Sequence, residues 1–388
     1  MKKKYLLVAL LIFIISIGVT SMSMQNDTFY SIKIGEDIFK YGIDFIDHHS
    51  IHTLNYSYPH ILFDSIVYLT YNFFNLNGLY ILTIIFTFIL GIIIFIIDYK
   101  LSSNYLFSLL FSILTLLFLK NFLTLRAQII SISIFALEYF FLQNLYNNKK
   151  KTNIIFLFLL GVLLVNTHVA TYPFYLIMFL PFLITSKFRK DIILTFVLVC
   201  LCGFISFMGL DSYTYLFNTL LNTTTNYIME HQPLVLIEHI DIIFIILLII
   251  LFFTNKKIKI ELYDKLLLLG VSFMTLVSVR HSIFLILFTL IITAHFIGKY
   301  TISKESNNIK NITKKIFTLK GKVLIILLVS IISLTSFISY PKHSFIDKTI
   351  YPVNLVSYVK KNIDYKNIRI FNDINIGSYL MLNDIPVF

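Results

Sequence analysis

The chain has 388 residues, of which 57% are hydrophobic and only 13% charged. Soluble domains carry about 25% charged residues, so an ordinary globular protein is excluded. The formal net charge of +12 does not indicate nucleic acid, because the excess lysines stand in short loops between apolar runs, where they set membrane orientation.

Met1-Lys2-Lys3-Lys4 followed by apolar residues 5–20 has the layout of a secretory signal, with Ser21-Met22-Ser23 as a cleavage-like site. A retained first helix is the preferred reading, because everything after it also looks membrane-embedded. The run 79–97, LYILTIIFTFILGIIIFII, holds no charge at all. About 20 residues of helix match the ~30 Å hydrocarbon core of a bilayer. Lipid offers the backbone no partners, and these runs are apolar on every face, so helices are expected and a β-barrel is not.

The expected fold class is an all-α polytopic membrane protein of about 11 transmembrane helices. In chain order the predicted spans are 5–20, 79–97, 105–119, 127–145, 154–166, 172–185, 191–209, 240–254, 264–279, 282–298 and 323–339. The stretch 61–76 contains Asp64, Tyr68, Tyr71 and Asn72 and reads as an amphipathic helix along the outer interface. Residues 1–339 then form the membrane domain, with an outer loop at 21–60, and 340–388 form an extracytoplasmic C-terminal region.

Sidedness supports that count. With the N-terminus inside, the inner loops carry Lys149-Lys150-Lys151, Lys187/Arg189/Lys190 and Lys256/Lys257/Lys259, and seven lysines fall in 299–322. Making 61–76 a full span would invert every later loop and break the positive-inside rule. Every histidine except His295 then falls on the outer side, and histidine titrates near neutrality and binds phosphates or metals. Cys200 and Cys202 lie inside one apolar run and read as small packed hydrophobes. Glu138 lies within a span and is given no role.

The first outer loop is the richest in chemistry: Asp27-Thr28-Phe29-Tyr30, Gly35, Gly42, Asp47-His48-His49-Ser50 and Tyr58-Pro59-His60. Asp27, just past the first helix, is a candidate general base for an acceptor hydroxyl while a lipid-borne substrate waits in the bilayer. Asp47 is a candidate to share that work or to orient the acceptor. The alternative is that both are solvated loop carboxylates. His48, His49, His52 and His60, with Asp47, raise a divalent metal as an option, but their spacing matches no closed zinc site, and no metal ligands are assigned.

Three outer turns carry Arg126 with Gln128, His168 after Asn166, and Arg280-His281. Cationic groups at that level suit a diphosphate or phosphodiester, whose leaving phosphate they would stabilise. The competing reading is that the arginines snorkel to lipid headgroups.

Taken in order, these motifs resemble bacterial membrane proteins of the GT-C glycosyltransferase superfamily. Asp27-Thr28-Phe29-Tyr30…Gly35…Gly42…Asp47 resembles that family's first outer loop, with Phe29 and Tyr30 where tryptophans are usual. His60-Ile61-Leu62-Phe63 is similar to its His-Glu-Trp-Leu, with Ile61 replacing the glutamate. Arg126-Ala127-Gln128 resembles Arg-Pro-Gln, Asn166-Thr167-His168 an Asn-x-His turn, and Arg280-His281 a late basic pair. Tyr351-Pro352-Val353 and Phe371-Asn372-Asp373-x-x-x-Gly377-Ser378-Tyr379-Leu380 resemble the start of a small outer α/β region. The family continues past Pro-Val-Phe, so further residues after Phe388 are expected.

The resemblance implies transfer of a sugar from a polyprenyl-phosphate donor at the outer face of the bacterial cytoplasmic membrane. The acceptor would be a glycan, lipid or protein, and the lipid chain would lie among membrane lipids between helices. Asp27 would be the catalytic base, while His60, Arg126, His168, Arg280 and His281 would hold the donor. Two rivals stand beside it. A transporter or flippase of lipid-linked saccharide would place charged sites at the bilayer midplane and show inverted repeats. An O-antigen-type polymerase would carry its large outer loop late in the chain.

Overall fold

The computed structural model describes residues 2–50, 56–186, 189–221, 229–254, 260–303, 345–365 and 370–387. Among these residues the regular structure is helical and no β-strand occurs. Each apolar segment predicted between residues 5 and 298 is helical over most of its length, and 323–339 lies outside the described residues. Among the described residues, three helical stretches are long and apolar enough to cross a membrane: Ile61–Ser102, Gln128–Asn148 and Val279–Ile297.

The chain begins with α1 (Lys2–Val19) and α2 (Asn26–Tyr41). The second of these lies within what the sequence suggested was a loop. Next comes α3 (Ile61–Ser102), which joins the expected interfacial helix and the next span into one run. Asn75 interrupts it with φ 53° and ψ −155°, a left-handed φ that asparagine tolerates better than most residues. Before that break the helix has two faces. Ile61, Phe63, Asp64 and Val67 are buried, whereas Ile66, Leu69 and Phe73 are exposed.

The bundle continues with α4 (Tyr105–Phe118), α5 (Gln128–Asn148) and α6 (Thr152–Thr167). The expected helix 172–185 divides into α7 (Tyr172–Ile177) and α8 (Phe179–Thr185). Pro181 has no N–H to give to the carbonyl of Ile177, which accounts for the break. Then follow α9 (Arg189–Cys200), α10 (Asp211–Leu221), α11 (Ile240–Thr254), α12 (Leu262–Val277) and α13 (Ser282–Ser303). Residues 285–288 of α13 are all 0–1% exposed, and a helix apolar on all sides belongs at a bundle centre.

A second apolar cluster lies around α2 and includes Phe29, Tyr58, Phe63, Tyr351 and Tyr379. Gly35 lets α2 approach α3 closely: a Cβ there would lie 2.3 Å from the Asp64 carbonyl oxygen. The C-terminal region packs over α2 as α14 (Val353–Asn362) and α15 (Ile374–Leu382). Phe29 meets the rings of Tyr351 at 5.1 Å and Tyr379 at 5.5 Å. Lys33 pairs with Asp384 at 2.8 Å. The β-pairing found among the described residues is a parallel bridge of Ser50 with Val387. No α/β unit is formed by the described part of this region.

Candidate functional site

Two contacts bring the start of α2 to the turn before α5. Thr28 Oγ1 donates to the Leu125 carbonyl at 3.0 Å, and Thr124 Oγ1 donates to Gln25 Oε1 at 3.3 Å. Asp27 sits in the first turn of α2, where the helix dipole favours a carboxylate. From there its Oδ2 reaches Arg126 Nη2 at 2.5 Å. The other arm of the same guanidinium, Nη1, donates to Glu230 Oε1 at 2.8 Å. Arg126 is therefore clamped between two carboxylates.

Glu230 belongs to a short turn, Met229–His231, docked on the turn Val279–His281. Ser278 Oγ donates to the Glu230 carbonyl and the Val279 N–H to the Gln232 carbonyl, each at 3.0 Å. Arg280 Nη1 faces His231 Nε2 at 3.5 Å. On the opposite wall, the Val169 N–H donates to the Pro59 carbonyl at 3.1 Å. That bond holds His60 against His168, with ring centroids 5.0 Å apart. His168 Nδ1 and Ser131 Oγ are hydrogen-bonded at 2.7 Å.

Asp27, His60, Arg126, His168 and Arg280 all line one cavity of about 350 Å³, with Tyr30, Tyr56 and Gln128. Tyr30 OH donates to Tyr56 OH at 2.7 Å. A neighbouring cavity of about 660 Å³ shares Gln128 and Arg280 with the first and also holds His281. An apolar groove of about 230 Å³ adjoins that one in turn through Phe174, Met274 and Phe284. Exposed Ile177, Leu180 and Ile184 line its outer part.

Burial, with Arg280 and Arg126 nearby, lowers the pKa of His60 from its ordinary 6.5 to about 3. Burial, with His60 and the same arginines, holds His168 well below its ordinary value. Both rings are thus neutral at pH 7 and offer hydrogen bonds, not charge. The positive charge is left to the arginines. Burial alone would weaken the Arg126 cation, but Asp27 and Glu230 reverse that and raise its pKa. Burial works against the charge of Glu230 as well, yet Arg126 outweighs it and lowers the Glu230 pKa.

The other predicted residues stand apart. Asp47 does not line the cavity; its Oδ1 accepts the backbone N–H of His49 at 2.9 Å and of Ser50 at 3.0 Å, as in a loop turn. His48 Nε2 pairs with Asp44 at 2.7 Å and His49 Nε2 with Asp37 at 2.6 Å, while His52 lies outside the described residues. Among the described residues no group of three or more His, Cys, Asp or Glu is arranged to hold a metal ion. Cys200 and Cys202 are free thiols, the latter buried. Glu230 and Tyr56 are additions that sequence reasoning missed. The only signal for Glu230 was an acid beside His231 in a polar outer loop.

No protein-family model and no curated protein sequence matches the chain.

Proposed function

We propose that the protein is a multi-pass membrane glycosyltransferase that moves a sugar from a polyprenyl-phosphate donor to an acceptor at the outer face of a bacterial cytoplasmic membrane. The topology that goes with this reading has about 11 spans, a GT-C-like arrangement and the N-terminus inside. The observation that carries it is the meeting of Asp27, Arg126, Arg280, His60 and His168 in one cavity, drawn from five separate parts of the chain. The sequence of polar cavity, larger cavity and apolar groove also suits a ligand with an anionic head and a long apolar tail.

In this reading the acceptor hydroxyl gives its proton to the Asp27 carboxylate as its oxygen bonds to the anomeric carbon. The bond from that carbon to the phosphate oxygen breaks. Polyprenyl phosphate leaves with the electron pair, and its singly charged diester becomes a monoester of higher charge. Arg126 and Arg280 offset that developing charge. His60 and His168, as neutral rings, hydrogen-bond sugar or phosphate oxygens. The apolar groove takes the start of the polyprenyl chain.

The test is transfer by the full chain in lipid nanodiscs, offered a panel of polyprenyl-phosphate sugars. Asp27→Asn should slow transfer by about 10²–10⁴-fold, the usual worth of a positioned base. Undiminished transfer by that variant would remove Asp27 from the mechanism.

One observation favours transport of a lipid-linked saccharide instead. Asp98 and Glu138 are fully buried, and among the described residues their carboxyl oxygens have no hydrogen-bond partner. Ionisable groups within apolar helices are often parts of proton pathways. Proton-coupled transport predicts flux that survives Asp27→Asn and is lost in Glu138→Gln, whereas the transferase predicts the reverse.

A further inference from the structure

Glu230 does not line the polar cavity; it reaches the site through the second arm of Arg126. Its backbone is fixed beside Arg280 by Ser278 and Val279, but its side chain spans the gap to Arg126 at 2.8 Å and is 44% exposed. It can therefore turn into water without opening a hole in the protein. Asp27 is about as exposed, at 51%, but as the proposed base it has to stay beside the acceptor, which leaves Glu230 as the carboxylate that can withdraw.

Charge balance gives that freedom a use. Empty, the cluster holds two carboxylates, Asp27 and Glu230, against two guanidiniums, Arg126 and Arg280, and is neutral. A phosphodiester donor adds one negative charge, so neutrality returns only if one carboxylate withdraws. After transfer Asp27 carries the acceptor's proton while the leaving phosphate carries up to two charges. With both of those charges present the cluster is again neutral only with Glu230 out. Once the product has left and Asp27 has lost its proton, the two guanidiniums need Glu230 back.

We propose that Glu230 is a positioning residue that acts as an internal stand-in for phosphate: its carboxylate occupies an anion position at Arg126 when the site is empty, swings out when a polyprenyl phosphate binds, and on returning helps to displace the product. This rests on the donor class proposed above and adds a competitor built into the chain. It also implies that Arg126 releases Asp27 when it takes the phosphate, so that the base becomes free only with donor in place.

The experiment measures binding of polyprenyl monophosphate to the full chain in nanodiscs, for the wild type, Glu230→Gln and Glu230→Asp. Loss of the competing charge in Glu230→Gln should tighten binding about two- to fivefold, the range for a half-exposed ion pair. Glu230→Asp, which keeps the charge on a shorter arm, should fall between the two. Tighter binding is not an outcome that structural damage produces, and melting temperatures identify a variant that has failed to fold. If Glu230→Gln misfolds, Glu230→Asp decides alone: binding no tighter than wild type overturns the proposal. Equal or weaker binding by a folded Glu230→Gln overturns the stand-in while leaving the transferase reading intact. Equal tightening by both variants also overturns it, because charge would not be the cause. No binding by the wild type removes the donor class and this inference together.

Discussion

The Asp27 carboxylate and the Arg126 guanidinium lie 2.5 Å apart, joining the first turn of α2 to the turn before α5. A candidate base and a candidate phosphate ligand thus hold one another, and Glu230 occupies the second arm of the same guanidinium. The geometry depends on a planar fork with two donating edges, which an ammonium lacks.

Arg126→Lys keeps the charge and loses the fork. The expected result is a donor KM raised about tenfold or more, with only a small loss of stability. Exposed and half-exposed ion pairs contribute about 0–1 kcal/mol, and Asp27 is 51% exposed. Kinetics and thermal melts of Arg126→Lys beside the wild type check both parts. A lysine variant with wild-type KM would show that the two-armed contact is incidental.

His60 gives a pH dependence of defined sign. Its folded pKa, about 3, lies below its ordinary 6.5, so folding favours the neutral ring. The associated stability is fully present above about pH 6.5 and is lost as the pH falls from there through about 3. Melting temperature should therefore be flat near neutrality on this account and drop on acidification through that window. His60→Gln should flatten the drop by the uptake of one proton. Matching melting curves for the two proteins from pH 7 to pH 4 would contradict it.

The parts of the site legible in the sequence were those that break a pattern. Arg126, His168 and Arg280 each interrupt or end an apolar run, so their place at helix ends followed from hydrophobic length alone. Glu230 and Tyr56 lie in polar loops where a carboxylate or phenol breaks nothing. Only the fold shows that one meets Arg126 and the other Tyr30. The helix α2 was hidden because its apolar face, with Phe29 and Ile32, is covered by Tyr351 and Tyr379, more than 300 residues away in the chain. The outer histidines suggested one cluster, but His48 and His49 are taken by Asp44 and Asp37 on the loop itself. His60 instead follows Pro59 toward His168.

Gly35 is where α2 meets α3, and it has no room for a methyl group. A Cβ would lie 2.3 Å from the Asp64 carbonyl oxygen and 2.4 Å from Tyr68 Cβ. Both atoms are fixed to the α3 backbone and are not the far ends of flexible side chains, so relief requires a shift of a helix. Gly35→Ala should destabilise the outer region by about 1–3 kcal/mol, the usual cost of overpacking. It should also displace Asp27 from Arg126, so transfer falls more steeply than stability does. Thermal melts together with transfer rates test this, and an alanine variant active at the wild-type rate would refute the link between helix packing and the ion pair.

The proposed topology makes its most specific demand between α6 and α10. At about 1.5 Å per residue, the 16 residues of α6 extend only about 24 Å. The pair α7 and α8 is broken at Met178, and α9 gives way to a 3₁₀ turn, Leu201–Ile205. Segments this short cross a bilayer only if it thins locally or if the flanking turns lie within the headgroup layer. The basic residues argue that they do cross, since Lys149-Lys150-Lys151 precede them, and the turn holding Glu230 and His231 follows. Three crossings put those two places on opposite sides. Reporter fusions after Asn148 and after Gln232 should therefore read inside and outside respectively. Both reporting the same side would mean that one of the three is a re-entrant or surface segment, and Glu230 could then no longer meet Arg126 at the outer face.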